Sequence, residues 1–345
     1  MGQQQHYVSW LALGMAAAAL VLGGWLGWLL VRLCGWRLGL LILAAPAGWP
    51  VLMVHGGATF RKDALQILLG ALLLWWWRDR VAGRSVGRAP AAWLGLGVVQ
   101  VMAVCNHEPF ALLILPLLAL LAWWERRRPV TALLAVAPGV LAFLFTVWRR
   151  GSAEQVSCLQ ADLQRLGLLA SGEQPGSSIT ELALSRPSFF TWDLTPPQLG
   201  WSLVHGITMT LAVVLAYALV MQVRRPCESG QTLLAAAAAL WGLQLLAAAP
   251  LFLATIDYGR WITIMFCSGL VLLLLQPTMQ PATAPPVQPD RGPRLPLATA
   301  LAVLLILVLP SHCCTYGPQQ IFAWIPYAAA SQWKQLLLGW LPGAA

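Results

Sequence analysis

The sequence predicts an all-α integral membrane protein with about ten transmembrane helices, and its composition and apolar runs indicate this fold class. Of the 345 residues, 59% are hydrophobic and 10% are charged, whereas soluble globular domains carry about 25% charged residues. The mean hydropathy is +0.71. Apolar runs of about 14 to 24 residues recur along the chain, and roughly 20 residues span a bilayer as a helix. An ordinary cytosolic enzyme, a disordered chain and a small disulfide scaffold are excluded.

The net charge and the absence of nucleotide-binding and metal-binding motifs narrow the classes of function that the chain can have. The chain carries 21 Lys and Arg against 12 Asp and Glu, a formal net charge of +9. In a membrane protein this excess sets helix orientation, so we expect no nucleic-acid partner. The sequence contains no P-loop, dinucleotide-binding fingerprint, zinc spacing or D-x-D pair. We therefore expect no cofactor and no metal site.

Ten apolar runs are the candidate spans of a single membrane domain over residues 1–345. The first run follows Met1–His6, which contains no Lys or Arg, so we expect a retained helix rather than a cleaved signal. The predicted spans are 8–31, 38–54, 64–77, 89–106, 109–124, 129–148, 201–221, 232–252, 261–275 and 295–310.

Two features of these runs depart from simple spans. Run 64–77 is shorter than a straight span needs, and extending it backwards through Phe60–Asp63 would place charged residues at the outer edge of the bilayer. Between runs 89–106 and 109–124, the residues Asn106-His107-Glu108-Pro109 predict a tight turn that closes a helical hairpin.

Loop charges alternate along the chain and predict the orientation of the helices. One set of loops carries thirteen basic and four acidic residues, and the other carries eight of each. The positive-inside rule places the first set in the cytoplasm, so we expect both termini in the periplasm of a bacterial inner membrane. Tryptophan-rich helix ends at Trp75–Trp77 and Trp123–Trp124 fit an interfacial aromatic belt. The basic residues of the cytoplasmic set are Arg32, Arg37, Arg78, Arg80, Arg84, Arg88, Arg126, Arg127, Arg128, Arg224, Arg225, Arg291 and Arg294.

Three segments lie outside the predicted membrane region. An outward loop, 151–200, is rich in polar residues and contains a short helix predicted over 153–169. A Pro-rich segment, 276–294, is expected to be an extended cytoplasmic linker. The tail, 311–345, is expected outside.

Three polar clusters fall at outward helix ends: Phe60–Asp63, Asn106–Pro109 and Asp257–Trp261. Ionisable groups near hydrocarbon are costly unless paired, so such clusters are candidate functional sites. The alternative is structural: the basic residues could extend to lipid headgroups, and Asp257 could pair with Arg260 three residues later.

The chemistry of these clusters suits transfer of a sugar from a lipid-linked pyrophosphate. Arginine and lysine side chains can bind a pyrophosphate, and their charge can replace a metal in stabilising the leaving phosphate. A His or Glu can remove a proton from the attacking sugar hydroxyl, and His107 and Glu108 both remain candidates. The predicted catalytic residues are His107, Glu108 and Asp257; the predicted substrate-binding residues are Arg61, Lys62, Asp63 and Arg260.

The motifs RKD at 61–63, HEP at 107–109 and D-x-G-R-W at 257–261 resemble those of bacterial O-antigen and capsule polymerases. The resemblance implies a metal-independent membrane glycosyltransferase that joins undecaprenyl-pyrophosphate-linked glycan units at the outer face of the inner membrane. Arg61 and Arg260 would then hold the pyrophosphate, and His107 or Glu108 would be the base. The partners it implies are a lipid-linked oligosaccharide and membrane lipids.

Two other classes stay open. A GT-C-type lipid-phosphate-sugar glycosyltransferase has a similar number of helices, but usually carries acidic residues in its first outward loop, where this chain has Asp63 alone. A flippase or secondary transporter would place ionisable groups near the bilayer midplane on broken helices. The interruption within 89–124 is the feature that fits such a transporter.

Overall fold

The computed structural model describes residues 21–36, 63–81, 89–149, 152–165, 196–225, 228–254 and 258–275, with the single positions 17 and 39. Throughout these residues the secondary structure is helical, with short turns and no strand. The predicted all-α class is therefore confirmed for this part of the chain. Apart from position 39, the predicted span 38–54 lies outside the described residues, as do the predicted span 295–310, the linker 276–294 and the tail 311–345.

From α2 onwards, and apart from α7 in the predicted outward loop, the helices follow the predicted spans to within about five residues, whereas the predicted first span 8–31 is described only from Val21. By length and composition, two of them are long and apolar enough to cross a membrane, Pro129–Trp148 and Gly230–Phe252. The full set of ten spans stays a prediction. In chain order the helices are α1 Val21–Cys34, α2 Asp63–Trp76, α3 Pro90–Asn106, α4 Phe110–Leu113, α5 Leu115–Arg126, α6 Pro129–Trp148, α7 Ala153–Arg165, α8 Pro196–Arg224, α9 Gly230–Ala254 and α10 Tyr258–Leu275.

Proline residues explain several helix boundaries. Pro90 and Pro129 lie in the first turns of α3 and α6, where a residue without an N–H costs no hydrogen bond. Pro116 lies in the first turn of α5. Because it cannot donate to the preceding turn, the helical structure within the predicted span 109–124 is interrupted at Ile114, which separates α4 from α5.

Helix α2, which corresponds to the third predicted span (64–77), is lengthened at its far end. After Trp76 the helix continues as a π-helical turn, Trp77–Val81, which brings Arg78, Asp79 and Arg80 into helical structure. Trp75 and Trp76 are exposed, as the predicted belt requires, but Trp77 is fully buried. The indole N–H of Trp77 donates to Glu125 Oε2 at 2.8 Å, so this residue ties α2 to α5 instead of joining the belt.

Helix α10 forms the centre of one half of the bundle. Every side chain from Trp261 to Leu275 is buried, as expected of a helix that is apolar all round. It packs against α2, α8 and α9. In the other half, α6 packs against both α3 and α5. The predicted hairpin therefore reverses direction as expected, but α3 packs mainly against α6 rather than against α5.

The outer surface of the bundle is strongly apolar. Leu133, Leu141 and Trp148 on α6 are 68%, 66% and 76% exposed, and Leu94 and Met102 on α3 are 70% and 67% exposed. Contiguous exposed apolar surface of this kind marks a face that contacts another apolar phase. It is consistent with a lipid-facing surface.

Candidate functional site

The packing of the helices places the beginnings of α2 and α10 and the end of α3 at one end of the bundle. At the opposite end, Arg78 in the π-helical turn donates to the carbonyl oxygen of Leu275, the last residue of α10. Trp76 Nε1 donates to the carbonyl oxygen of Ala92 at the start of α3, at 3.1 Å. Helices α2 and α10 therefore run parallel to each other, and α3 runs antiparallel to α2.

The Asn106–Pro109 segment forms a tight turn, as predicted. The backbone N–H of Phe110 donates to the carbonyl of His107, and that of Ala111 donates to the carbonyl of Glu108, both at 3.0 Å. Phe110 is 1% exposed, and the short helix α4 that it begins packs against α9 and α10. The turn is therefore fixed to the central helix by a buried anchor.

His107 caps the C-terminus of α3 and lies against the start of α10. Its backbone is extended (φ −161°, ψ 106°), and its N–H still donates to the carbonyl of Ala103. Its ring lies 6.1 Å from the indole of Trp261, with 44° between the ring planes. Its Nδ1 is 4.0 Å from Glu108 Oε2, and the two side chains are 20% and 52% exposed.

The structure places the backbones of only some of the other predicted site residues. Asp63 begins α2, and Arg260 is the third residue of α10, so both backbones lie at the end of the bundle where His107 lies. The structure does not describe their side chains. Arg61, Lys62 and Asp257 lie outside the described residues. Their predicted roles are therefore unchanged, and His107 and Trp261 form the described contact between two of the three clusters.

A buried amide close to this end was not found from the sequence. Gln66, one turn beyond Asp63 on α2, is 1% exposed. Among the described residues, neither its Oε1 nor its Nε2 has a hydrogen-bond partner. Glutamine within an otherwise apolar run was the signal that could have identified it, since an uncompensated buried amide is costly. In the same described part of the chain, no three His, Cys, Asp or Glu side chains group as metal ligands.

Two buried glutamines show how the helices that carry the site are held. Gln100 Nε2 donates to the carbonyl of Ala135 at 2.8 Å, and Gln100 Oε1 accepts from the N–H of Gly139 at 3.2 Å. In the other half, Tyr217 Oη donates to Gln244 Oε1 at 3.0 Å, and Gln244 Nε2 donates to the carbonyl of Met265 at 2.7 Å. Buried polar groups that are satisfied in this way fix helix register.

At the opposite end of the bundle, a cavity of about 700 Å³ lies between α1, α2, α8 and α10. The sequence positions of Arg78 and Arg224 predict only loop residues that set helix orientation, yet both arginines line this cavity. Their meeting depends on which helices pack together, so no local pattern predicts it. The lining residues are Trp25, Trp28, Leu29, Leu33, Leu72, Trp75, Arg78, Arg224, Leu274 and Leu275.

Comparison with known proteins adds no relative. The chain matches no protein-family model, no curated protein and no solved structure.

Proposed function

We propose that the chain is a multi-pass glycosyltransferase of the polysaccharide polymerase type in a bacterial inner membrane. Its substrates would be glycans carried on polyprenyl pyrophosphate, and the reaction would take place at the outward face without a metal. The observation that supports this proposal best is the contact between His107 at the end of α3 and Trp261 in the first turns of α10. This contact brings a candidate base next to the helix turn that contains Arg260.

The reaction transfers a glycan from its lipid pyrophosphate to a hydroxyl of a second lipid-linked unit. The hydroxyl oxygen attacks the anomeric carbon of the donor, the bond from that carbon to the pyrophosphate breaks, and the hydroxyl proton passes to a base. Arg61, Lys62 and Arg260 would hold the pyrophosphate as it gains charge. Asp63 and Asp257, which flank these cations in the sequence, complete the proposed site.

His107 is the better candidate for the base. Its side chain is 20% exposed, whereas that of Glu108 is 52% exposed, and histidine is the side chain that acts most often as a general base. Glu108, 4.0 Å from Nδ1, would stabilise the imidazolium that forms. The substitution Glu108→Gln should therefore lower turnover less than His107→Ala.

Substitutions at Arg260 and His107 test the proposal. In cells lacking the chromosomal gene, Arg260→Lys keeps the charge but loses the planar fork, so polymer formation should fall about ten- to hundredfold. His107→Ala should reduce it by about 10²–10⁴-fold. The matched control is Arg149→Lys, an exposed arginine whose guanidinium lies 5.5 Å from the ring of Trp148 at the same end of the bundle, which should behave as wild type.

The assay is the length distribution of surface polysaccharide on a gel, normalised to folded protein in the membrane. Deletion of the gene should abolish the ladder and leave a single repeat unit. Loss of that unit itself would instead favour a single-sugar transferase. Wild-type ladders from both Arg260→Lys and His107→Ala would contradict the proposed site.

The proposed orientation is tested separately by cysteine labelling in a background without native cysteines. Cysteines introduced at Ser152 and Ser177 should react with an impermeant reagent in intact cells, whereas those at Ser85 and Thr283 should react only after permeabilisation. The reverse pattern would place His107 in the cytoplasm, and a periplasmic reaction could not then take place there.

A further inference from the structure

The cavity at the end of the bundle opposite to His107 combines a polar end with an apolar wall. Arg78 comes from the π-helical turn after α2, and Arg224 is the last residue of α8. Arg224 is 8% exposed. The remaining lining residues are leucines and tryptophans from α1, α2 and α10. A ligand that matches these walls must therefore be anionic at one end and apolar along the rest.

The charge at the polar end is positive. Two guanidinium groups line the same cavity, and the guanidinium of Arg32 lies 5.0 Å from the ring of Trp28, which is one of the lining residues. Glu125, which accepts the indole hydrogen bond of Trp77, is close enough to Arg78 to offset part of this charge. Among the described residues no acidic side chain lines the cavity, so its polar end is positively charged. An anion in the cavity would reduce the repulsion between Arg78 and Arg224.

The tryptophans place the cavity at the depth of lipid headgroups. Trp28 and Trp75 line the cavity and are 53% and 42% exposed, and tryptophans of membrane proteins concentrate at the interface. The same end of the bundle contains Trp124, over which Arg225 lies at 5.6 Å. Basic pockets between transmembrane helices at this depth bind the headgroups of anionic lipids. Guanidinium groups match phosphate oxygens with paired hydrogen bonds.

We propose that the cavity between α1, α2, α8 and α10 is a binding site for an anionic phospholipid, with its phosphate between Arg78 and Arg224 and its acyl chains along the leucine and tryptophan wall. This inference rests on the proposed membrane location but not on the proposed catalysis. The site lies at the end of the bundle assigned to the cytoplasm, so the lipid would come from the inner leaflet.

Native mass spectrometry of the purified, delipidated full chain tests the site. Dioleoylphosphatidylglycerol should bind with at least tenfold higher affinity than dioleoylphosphatidylcholine, and Arg78→Gln and Arg224→Gln should each weaken that binding about tenfold or more. The control is Arg225→Gln, which removes the neighbouring arginine that pairs with Glu228 at 3.5 Å and does not line the cavity. It should leave the affinity for phosphatidylglycerol unchanged.

Three results would overturn the assignment. Equal affinity of the wild type for the two lipids would remove the role of the headgroup charge. Equal weakening by Arg225→Gln would show that binding follows net charge rather than the cavity. Displacement of phosphatidylglycerol by millimolar inorganic phosphate would identify a site for a soluble anion instead.

If Arg224→Gln does not fold, the comparison of lipids on the wild type and on Arg78→Gln decides the question. Polymer ladders are measured independently, so failure of the lipid site is distinguishable from failure of the proposed enzyme.

Discussion

Replacement of Gln100 by leucine tests how α3, which ends at His107, is held against α6. The carboxamide of Gln100 donates to the carbonyl of Ala135 and accepts from the N–H of Gly139. These two backbone groups lie four residues apart on α6, beside Pro138. A Cβ at Gly139 would lie 2.9 Å from Gln100 Oε1. Glycine is therefore what allows the amide to approach the backbone of α6 so closely.

The cost of the Gln100→Leu substitution follows from these two bonds. Hydrogen bonds between helices inside membranes contribute about 0.6 kcal/mol each on average and about 1.7 at most. Leucine has a similar volume and gains nothing over lipid, because lipid is as apolar as leucine. The free energy of unfolding should therefore fall by about 1–3 kcal/mol. Polymer formation should also fall, because the turn that carries His107 begins two helical turns further along α3.

The assay is reversible unfolding in mixed micelles, with Gln66→Leu as the matched control. Gln66 is as buried as Gln100, at 1% against 0% exposed, but its amide has no partner among the described residues. Gln66→Leu should cost less stability than Gln100→Leu, or none. Wild-type stability of Gln100→Leu, or an equal loss in both variants, would refute the assigned role of the Gln100 hydrogen bonds.

Two further predictions concern stability. A methyl group at Gly269 would overlap the hydroxyl of Tyr217, so Gly269→Ala should lower the thermal midpoint of unfolding. The control is Gly242→Ala, because a methyl group at Gly242 meets no atom within 4 Å. This control should leave the thermal midpoint equal or higher. Partial desolvation raises the pKa of the Glu125 carboxyl, although the residue as a whole is exposed and the Trp77 hydrogen bond and the charges of Arg78 and Arg126 oppose this shift. Glu125 lies just beyond the predicted span 109–124. The native state therefore binds the proton of the Glu125 carboxyl more tightly than the unfolded state does. The stability that this proton contributes should be lost as pH rises from the ordinary carboxyl pKa through the raised pKa. Glu125→Gln should flatten this part of a stability–pH curve, and an unchanged slope would contradict the assignment.

The helices were largely predictable because their signals are local. Apolar runs, the prolines at the starts of α3 and α6, and the polar turn at His107 each act over a few residues, and the structure agrees with them to within a few positions. The break at Ile114 could also have been read from Pro116, since a proline in a run removes one hydrogen bond of the preceding turn. The burial of Trp77 could not have been predicted in this way, because the adjacent Trp75 and Trp76 carry the same side chain but are exposed.

By itself the sequence determined the helical class, the positions of most described helices and the polar residues available at each helix end, because apolarity, helix breakers and charge are properties of short segments. Only the tertiary structure decided which of these residues meet. His107 reaches Trp261, Gln100 reaches α6, and Arg78 and Arg224 line one cavity. In the proposed membrane location, the physical reason is that helices associate through close packing and interhelical hydrogen bonds rather than through hydrophobicity. Partners are therefore chosen by surface shape and by a few amides and glycines distant in the sequence.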